Sequence, residues 1–381
     1  MFYAADPGPD YELAWPRDLF VSEATALLAS RSRGWISGWI KAAELLLREA
    51  FAGYTPAEDL WTVRWSDIPP ELLNAEDSPD GDDLPRAFLF QLLSCASRLP
   101  GPVVTTPYWN ARKAPDATGG LTGDQAAARL QREWWHMVED LRARGYLTRV
   151  APECADTPAR ASLALLNLEL EKRLGVADLW PMSDEGWRPD DFYSLVEAVH
   201  DLVARPRERM WHMGDDWHYL ALAPAPARAL YRWRVDQLLA RYGVGLQLAA
   251  DGEDTGRLVH TAGDDRDALV QRVLTTDTGT QDERVHAIAV FRARTAGVPE
   301  KRTAIVTLAG LLEQRKDLLK TKLLSKDEGA LFQIANKFDL RHRRADQQGD
   351  YDQVFLDWVF WWYLATVELT DRLLARQDDT P

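Results

Sequence analysis

The sequence has little of what small secreted proteins and membrane proteins rely on. Only two of its 381 residues are cysteines, Cys95 and Cys154, which excludes a disulfide framework and a four-thiolate zinc site. Residues 1–18 have neither a basic start nor an apolar core, so no secretory signal is predicted. The longest apolar run, 358–367, is far shorter than the roughly 18 residues of a membrane span. We therefore expect a soluble, cytoplasmic protein without a membrane partner.

Several catalytic signatures are also missing. There is no nucleophile elbow, no dinucleotide fingerprint and no HExxH pair, and no repeat of solenoid period is visible. The glycine-rich TGGLTGD (118–124) lacks the Lys-Ser/Thr ending of a phosphate loop, so a flexible helix entry is the simpler interpretation. Neither a metal nor an organic cofactor is expected.

What the sequence does contain is the composition of a globular protein. Hydrophobic residues make up 46% and charged residues 27%, and the sixteen tryptophans are spread along the chain, as expected of packing residues. The length predicts two or three domains. Composition shifts suggest an N-terminal helical region over 1–85, a middle α+β domain over 86–275 and a helical bundle over 276–381.

Local patterns give the first two regions a mixed structure. Residues 23–50 are rich in Ala and Leu, with Gly34 and Gly38 as interruptions, and an Asp- and Pro-rich loop follows at 74–85. The middle region should contain a helix from Thr122 to Arg144 that Gly145 ends, and a short strand at 146–152. Further on we predict a helix at 191–204 ended by Pro206, a helix with its apolar stripe at 231–242 ended by Gly243, and a hairpin around Asp251-Gly252.

The C-terminal hundred residues are predicted to form four amphipathic helices, which pack best as a bundle. The first spans about 282–295, the second has Pro299 in its first turn, the third begins at a Ser325–Glu328 capping box, and the fourth begins near Asp350. Their inward residues are predicted from helical spacing to be Ile305, Leu308, Leu312, Leu331, Ile334, Ala335, Phe338, Phe355, Trp358, Val359 and Trp362. The tryptophans of the last helix should straddle two faces, one in the core and one available for a dimer contact.

Charge is unevenly distributed. The formal net charge is -14, yet residues 281–381 hold 16 basic and 16 acidic residues, so the whole excess of acid lies in 1–280. Nine basic and four acidic residues fall between Arg315 and Arg344. An acidic body repels nucleic acid, whereas this basic stretch is either a solvated helix face or a place where an anionic partner binds. DNA is not an expected partner.

Within the basic stretch, four charged or titratable residues are adjacent: Arg341, His342, Arg343 and Arg344. Arginine holds phosphate bidentately, and histidine exchanges a proton near neutral pH. Together they suffice for metal-free cleavage of RNA, in which a base removes the 2′-hydroxyl proton and Arg stabilises charge on the phosphate. An exposed polar loop with an incidental histidine is the plainer alternative.

The segment KDEGALFQIANKFDLRHRRADQQGDYDQVFLDWVFWWYLATVELTDRLLA (326–375) resembles the C-terminal HEPN domain of AbiJ-type abortive-infection proteins. Residues 232–260 are similar to the end of the N-terminal module in some of these proteins. The resemblance covers about 230–381 and implies a mainly α fold, with a four-helix HEPN-like bundle preceded by a mixed helical region with a small β-hairpin. It further implies a homodimer formed through the bundle.

The resemblance also implies RNA as a partner, because many HEPN domains are metal-independent ribonucleases of toxin or antiviral defence systems. Arg341 and His342 match the first two positions of the HEPN signature, but its final histidine is replaced, with Asp346, Gln347 and Gln348 at the candidate positions. Two functions follow: RNA cleavage by Arg341 and His342 with assistance from Asp346, or non-catalytic binding of RNA or a partner. Lys337, Arg343 and Arg344 are the expected RNA-binding residues.

Two other segments were considered as sites. RMWHMGDDWHY (209–219) gathers His212, Asp215, Asp216 and His218, which is either a metal site or a loop packed by its aromatic residues. WWHMVEDLRARGYLTRV (134–150) is either a winged-helix recognition element or a buried aromatic helix. In both cases packing is the preferred interpretation.

Overall fold

The structure is a computed structural model, and it describes residues 9–30, 38–62, 83–101, 123–153, 157–212, 216–261, 264–275, 281–294, 296–322 and 353–378. Its contacts divide the chain into two compact units, Met1–Tyr242 and Gly243–Pro381. The dividing point falls inside the middle region expected from the sequence, and the boundaries at 85/86 and 275/276 stay predictions.

The first unit is built from helices and one hairpin. Its elements are α1 (Arg17–Ala29), α2 (Gly38–Ala50), α3 (Thr55–Thr62), α4 (Asp83–Ser94), α5 (Gly123–Ala143), α6 (Ala159–Leu174), α7 (Pro189–Leu202), β1 (Arg205–His212), β2 (Asp216–Ala223) and α8 (Pro224–Arg241), with short 3-10 turns at Pro9–Tyr11 and Ala96–Arg98. The second unit contains β3 (Leu246–Leu248), β4 (Leu258–His260), α9 (Asp264–Thr275), α10 (Gln281–Arg292), α11 (Val298–Gln314), α12 (Lys316–Lys322) and α13 (Gln353–Asp378). The predicted mainly α fold with a small β-hairpin is confirmed.

Aromatic packing joins α5, α7 and α8. Trp134 on α5 is buried with its ring edge-to-face against Trp180, Trp187 and Phe192, at centroid distances of 5.4–5.9 Å. Its Nε1 donates a hydrogen bond of 2.9 Å to the Tyr231 hydroxyl on α8. Such rings bury large apolar areas while their polar atoms keep a partner. The interpretation of 134–150 as a buried aromatic helix is therefore supported for 134–143, the part that lies in α5.

The predicted α7 helix is confirmed, but its end is not where the sequence suggested. Phe192, Leu195, Val196 and Val199 are all buried, as their spacing of three and four requires. The helix ends at Leu202, and Pro206, which was predicted to end it, instead lies in β1.

The strand expected at 146–152 is wrong, because this segment is a turn. Gly145 has φ of +83°, and the next amides bond locally: Thr148 N–H donates to the Gly145 carbonyl at 3.2 Å and Val150 N–H to the Leu147 carbonyl at 3.0 Å. Local bonds of this kind satisfy backbone groups that a strand would pair with another strand. The chain thus reverses direction at the end of α5.

Residues 209–212 and 216–219, the described part of the segment predicted to be a loop, are instead strand residues. They belong to an antiparallel hairpin in which β1 pairs with β2, from Arg205 opposite Ala223 to His212 opposite Asp216. The hairpin predicted around Asp251-Gly252 is confirmed: β3 pairs with β4, with Leu246 opposite His260, and Gly252 has φ of +86°.

The helices of the second unit share one buried core. It contains Ile288 and Phe291 from α10, Ile305, Leu308 and Leu312 from α11, and Val359 and Phe360 from α13, and the rings of Phe291 and Phe360 stack at 3.6 Å. The first, second and fourth predicted C-terminal helices are thus confirmed. The third, near 325–338, lies outside the described residues.

The inward face of α13 differs from the prediction. Of the predicted stripe, Val359 is buried and Trp362 is half-buried, whereas Phe355 and Trp358 are about half exposed. The core face instead carries Leu356, Val359, Phe360, Tyr363, Leu364 and Val367. None of the helices in the described ranges combines the length and apolar character of a membrane span.

Candidate functional site

The residues predicted to carry the chemistry are not covered by the described part of the chain. Lys337, Arg341, His342, Arg343, Arg344 and Asp346 all lie outside the described residues, in the interval between α12 and α13. Their predicted roles stay predictions.

The alternative metal cluster is placed only in part. The hairpin pairs Met210 with His218 and His212 with Asp216. Across the described ranges no group of three or more His, Cys, Asp or Glu residues is arranged to hold a metal ion. Cys95 is buried as a free thiol, and burial raises its pKa, whereas Cys154 lies outside the described residues.

The first unit contains a cavity of about 460 Å³ that sequence reasoning missed. Four arginines line it: Arg48 from α2, Arg144 just after α5, Arg209 from β1 and Arg234 from α8. The other lining residues are Ala14, Leu45, Glu49, Phe51, Ala52, Gly53, Tyr54 and Tyr219. We call this cavity the arginine pocket.

Two carboxylates orient the four guanidinium groups. Arg48 Nε lies 2.7 Å from Glu44 Oε1, and Arg209 Nη2 approaches the same oxygen at 4.0 Å. Asp140 divides its two oxygens between Arg144 Nε at 2.9 Å and Arg234 Nη1 at 3.2 Å. Neither Glu44 nor Asp140 belongs to the lining of the pocket. The carboxylates therefore anchor the arginines from outside the cavity.

A largely buried ion network adjoins the arginine pocket through Glu49, which is one of the lining residues. Arg205 donates to Glu49 Oε2 at 2.8 Å and to Glu23 Oε2 at 2.7 Å, and Arg207 donates to Glu23 Oε1 at 2.6 Å. The guanidinium of Arg205 also lies over the Trp15 ring, 5.0 Å from its centroid. Buried charges of this kind are tolerated because each has partners of opposite sign.

Burial shifts the pKa values of this network. It raises the pKa of Glu49, although the ion pair with Arg205 opposes that shift. Burial also disfavours the charged form of Arg205, but Glu49, Tyr146 and Glu23 hold the pKa of its guanidinium above the ordinary value. Arg205 is thus a permanent cation that compensates the carboxylate in the pocket wall.

Two tyrosine rings also line the pocket. Tyr54 is 64% exposed, with the guanidinium of Arg48 5.3 Å from its ring centroid. The Tyr219 ring lies against the backbone at Gly145, where an added Cβ would come within 2.3 Å of its Cγ. Tyr219 donates its hydroxyl hydrogen to the Ala143 carbonyl at 3.1 Å, so hydrogen bonding and packing both fix the ring.

One sequence pattern could have predicted part of this site. Arg205, Arg207 and Arg209 alternate, and alternate residues of a strand share a face. In the structure all three approach carboxylates of α1 and α2: Glu23, Glu49 and Glu44. Arg48, Arg144 and Arg234 are far apart in sequence and lie in the acidic part of the chain, so no local motif joins them.

We also compared the chain with known proteins. Family models, curated proteins and solved structures give no match to it. Its function must therefore be argued from its own residues.

Proposed function

We propose that this protein is an RNA-directed effector of a bacterial defence or toxin system, acting through Arg341 and His342. The support from sequence is the resemblance of 326–375 to HEPN domains. The support from geometry is α12, where the described part of the basic stretch ends: Lys316, Lys320 and Lys322 are exposed, while Leu319 is buried in the core. A helix anchored by one apolar residue and presenting lysines to solvent suits contact with a phosphate backbone.

The proposed reaction is metal-independent. His342 removes the proton of a ribose 2′-hydroxyl, and the resulting oxygen attacks the adjacent phosphorus. The bond to the 5′-oxygen breaks, which leaves a 2′,3′-cyclic phosphate, and the departing oxygen takes up a proton. Arg341 stabilises the charge on the phosphate, and Asp346 assists by orienting His342. Lys337, Arg343 and Arg344 hold neighbouring phosphates.

The decisive experiment is RNA cleavage by the purified full chain in the presence of a chelator. Arg341→Ala and His342→Ala should each reduce the rate by at least about a hundredfold, the usual contribution of a positioned acid–base or electrostatic group. Arg160→Ala and His260→Ala are matched controls, because both residues are exposed and far from Arg341 and His342 in sequence. Full activity in either test variant would refute the assignment of the site.

An RNA-binding assay tests the proposed phosphate contacts separately from the cleavage reaction. Replacing Arg343 and Arg344 by Gln should weaken single-stranded RNA binding and lower the slope of log K against log salt by about 0.7 for each lost contact. The same substitutions at Arg160 and Arg188 should leave the slope unchanged. A salt slope that is equal in all variants would mean that the arginines do not contact the backbone.

A non-catalytic dimerisation or partner-binding module is the second candidate, and one observation favours it. The first turns of α13 expose apolar side chains: Val354 is 67%, Phe355 48% and Trp358 49% exposed. Contiguous exposed apolar surface of this kind often marks an interface. In this alternative the bundle forms a homodimer through α13, and Arg341 binds without cleaving.

Sedimentation of the full chain tests that interface. Trp358→Glu should convert a dimer into a monomer, because a charge in an apolar contact loses its hydration. Leu374→Glu is the control, since Leu374 is also exposed on α13 but sixteen residues further along. A dimer that survives Trp358→Glu, or a wild-type monomer, would exclude this contact.

A further inference from the structure

We infer that the arginine pocket is a binding site for a small phosphorylated molecule of nucleotide size, of the nucleoside diphosphate class. The site lies in the first unit and is independent of the function proposed for Arg341 and His342. It rests on the charge, the size and the walls of the pocket.

The charge balance of the site favours an anion. Arg48, Arg144, Arg209 and Arg234 share the two carboxylates Glu44 and Asp140, so positive charge exceeds negative charge by two among these six groups. In the adjoining network, the cations Arg205 and Arg207 balance Glu23 and Glu49. Guanidinium groups held around one cavity repel each other, and a bound dianion relieves this repulsion.

Because the cations are all arginines, the pocket is suited to a ligand that carries phosphate groups. Each guanidinium carries five N–H donors in a planar arrangement that matches two oxygens of a phosphate. Arg144 and Arg234 use one N–H each on Asp140, and Arg48 uses one on Glu44, which leaves further donors on each group. Four such groups on four separate elements can surround a diphosphate from different sides.

The size and walls of the pocket suit a nucleoside attached to that diphosphate. About 460 Å³ lies within the range of roughly 300–1,000 Å³ typical of small-molecule sites. The exposed ring of Tyr54 and the ring of Tyr219 offer faces on which a base can stack. Phosphate recognition by arginine and stacking on tyrosine are the two contacts that a nucleotide requires.

The scaffold holds this site in place before a ligand binds. The anchoring carboxylates lie on α2 and α5, and the Arg205 network fixes β1 against α1 and α2. Pre-organised donors need little reorganisation on binding, which favours affinity.

Isothermal titration of the full chain with ADP and, separately, with inorganic pyrophosphate tests the inference. We expect saturable binding of both probes, with ADP the tighter. The Arg144→Gln and Arg234→Gln variants should each bind both probes at least about tenfold more weakly, the loss of one hydrogen bond to a charged group. Tyr54→Leu should weaken ADP binding and leave pyrophosphate binding unchanged.

Arg241→Gln is the matched control, because Arg241 also lies on α8 but pairs with Glu133 at the surface and does not line the pocket. Arg144→Lys and Arg234→Lys keep the positive charge. Titration of these variants with ADP and pyrophosphate therefore tests the site even if the Gln variants fold poorly. The inference is overturned if the wild type shows no saturable binding of either probe at millimolar concentration. It is equally overturned if the Arg144 and Arg234 variants bind as tightly as the control.

A failure of the ADP-binding test can be distinguished from a failure of the proposed RNA function. A variant carrying both Arg341→Ala and His342→Ala should bind ADP as the wild type does, because the inference assigns ADP binding to the arginine pocket of the first unit. Loss of ADP binding in this variant would contradict the assignment to the arginine pocket. RNA cleavage by the same variant would contradict only the function proposed above.

Discussion

A single glycine determines how one wall of the arginine pocket is formed. Gly145 follows α5 with φ of +83°, a conformation that residues with a Cβ rarely adopt. It also has the Tyr219 ring against its Cα, in the space that a side chain would occupy. The predicted role of Gly145 as a helix stop is confirmed, because α5 ends at Ala143. The close approach of Tyr219 was not predictable, because it joins residues 74 positions apart.

Replacing Gly145 by Ala tests both its left-handed backbone conformation and its close contact with the Tyr219 ring. Gly145→Ala should destabilise the protein by the roughly 1–2 kcal/mol of a left-handed residue, and further by displacing Tyr219. Gly175→Ala is the matched control, since Gly175 has φ of +71° with nothing within 4 Å of an added Cβ. Urea unfolding measures the difference, and ADP titration should show weaker binding for Gly145→Ala alone. Equal stability and equal affinity in the two variants would mean that Tyr219 is not held as described.

His200 provides a test of buried charge. It is 1% exposed on α7, and burial lowers its pKa below 6.5, although a 3.2 Å contact with Asp201 opposes this shift. Within the described part of the chain its Nε2 has no hydrogen-bond partner. Nearby Arg232 and Arg228 further disfavour the imidazolium. The folded protein should therefore hold His200 neutral.

A pH dependence of stability follows. Below pH 6.5 the unfolded chain binds a proton at His200 that the folded chain does not, so stability falls as pH decreases. The loss is at most about 1.4 kcal/mol for each pH unit. Urea midpoints at pH 7.5 and 5.5 should show a larger decrease for the wild type than for His200→Gln, with exposed His260→Gln behaving as the wild type. Identical decreases in all three proteins would exclude His200 as the titrating group.

Helices and strands could be predicted from the sequence where their apolar residues follow a single clear spacing. The i, i+3, i+4, i+7 pattern of α7 and the alternation around Asp251-Gly252 are local, and each corresponds to the burial found in the structure. The β1–β2 hairpin was missed because β1 carries Pro206 and four charged side chains, which is unlike an ordinary buried strand. Its arginines are satisfied by distant glutamates, and such pairing has no local signal.

The last helix shows a similar limit. Phe355, Trp358, Val359, Phe360, Trp361 and Trp362 offer several apolar stripes, so spacing alone does not select the inward one. The choice is made by partners on α10 and α11: Phe360 stacks on Phe291, while Trp358 stacks on Trp362 at the surface.

Truncation of either side chain distinguishes the two faces. Phe360→Ala should cost about 3–5 kcal/mol, because it removes a fully buried ring from the core. Trp358→Ala should cost less than about 1 kcal/mol, since half of its side chain is already in water. Urea unfolding of both full-length variants measures the difference. Similar losses would show that the orientation of α13 differs from the one described.

At the scale of the whole molecule, an acidic protein can still bind anionic ligands because its charges are unevenly distributed. The net charge of -14 belongs to residues 1–280, yet the same part of the chain gathers four arginines at one cavity. Net charge governs long-range attraction, whereas binding depends on the groups that touch the ligand. Acidic groups farther from the ligand than the Debye length of about 8 Å at physiological salt oppose its binding only weakly.

The division into two units gives the last prediction. Each unit has its own buried residues, so calorimetry of the full chain should resolve two transitions. ADP at a hundred times its dissociation constant stabilises only the unit that binds it, by about 2.7 kcal/mol, which raises that transition by roughly 5–10 °C. Phe360→Ala should lower the other transition and leave the ADP-dependent one unchanged. If ADP raised the transition that Phe360→Ala lowers, the ligand would bind the second unit, and the arginine pocket would not be its site.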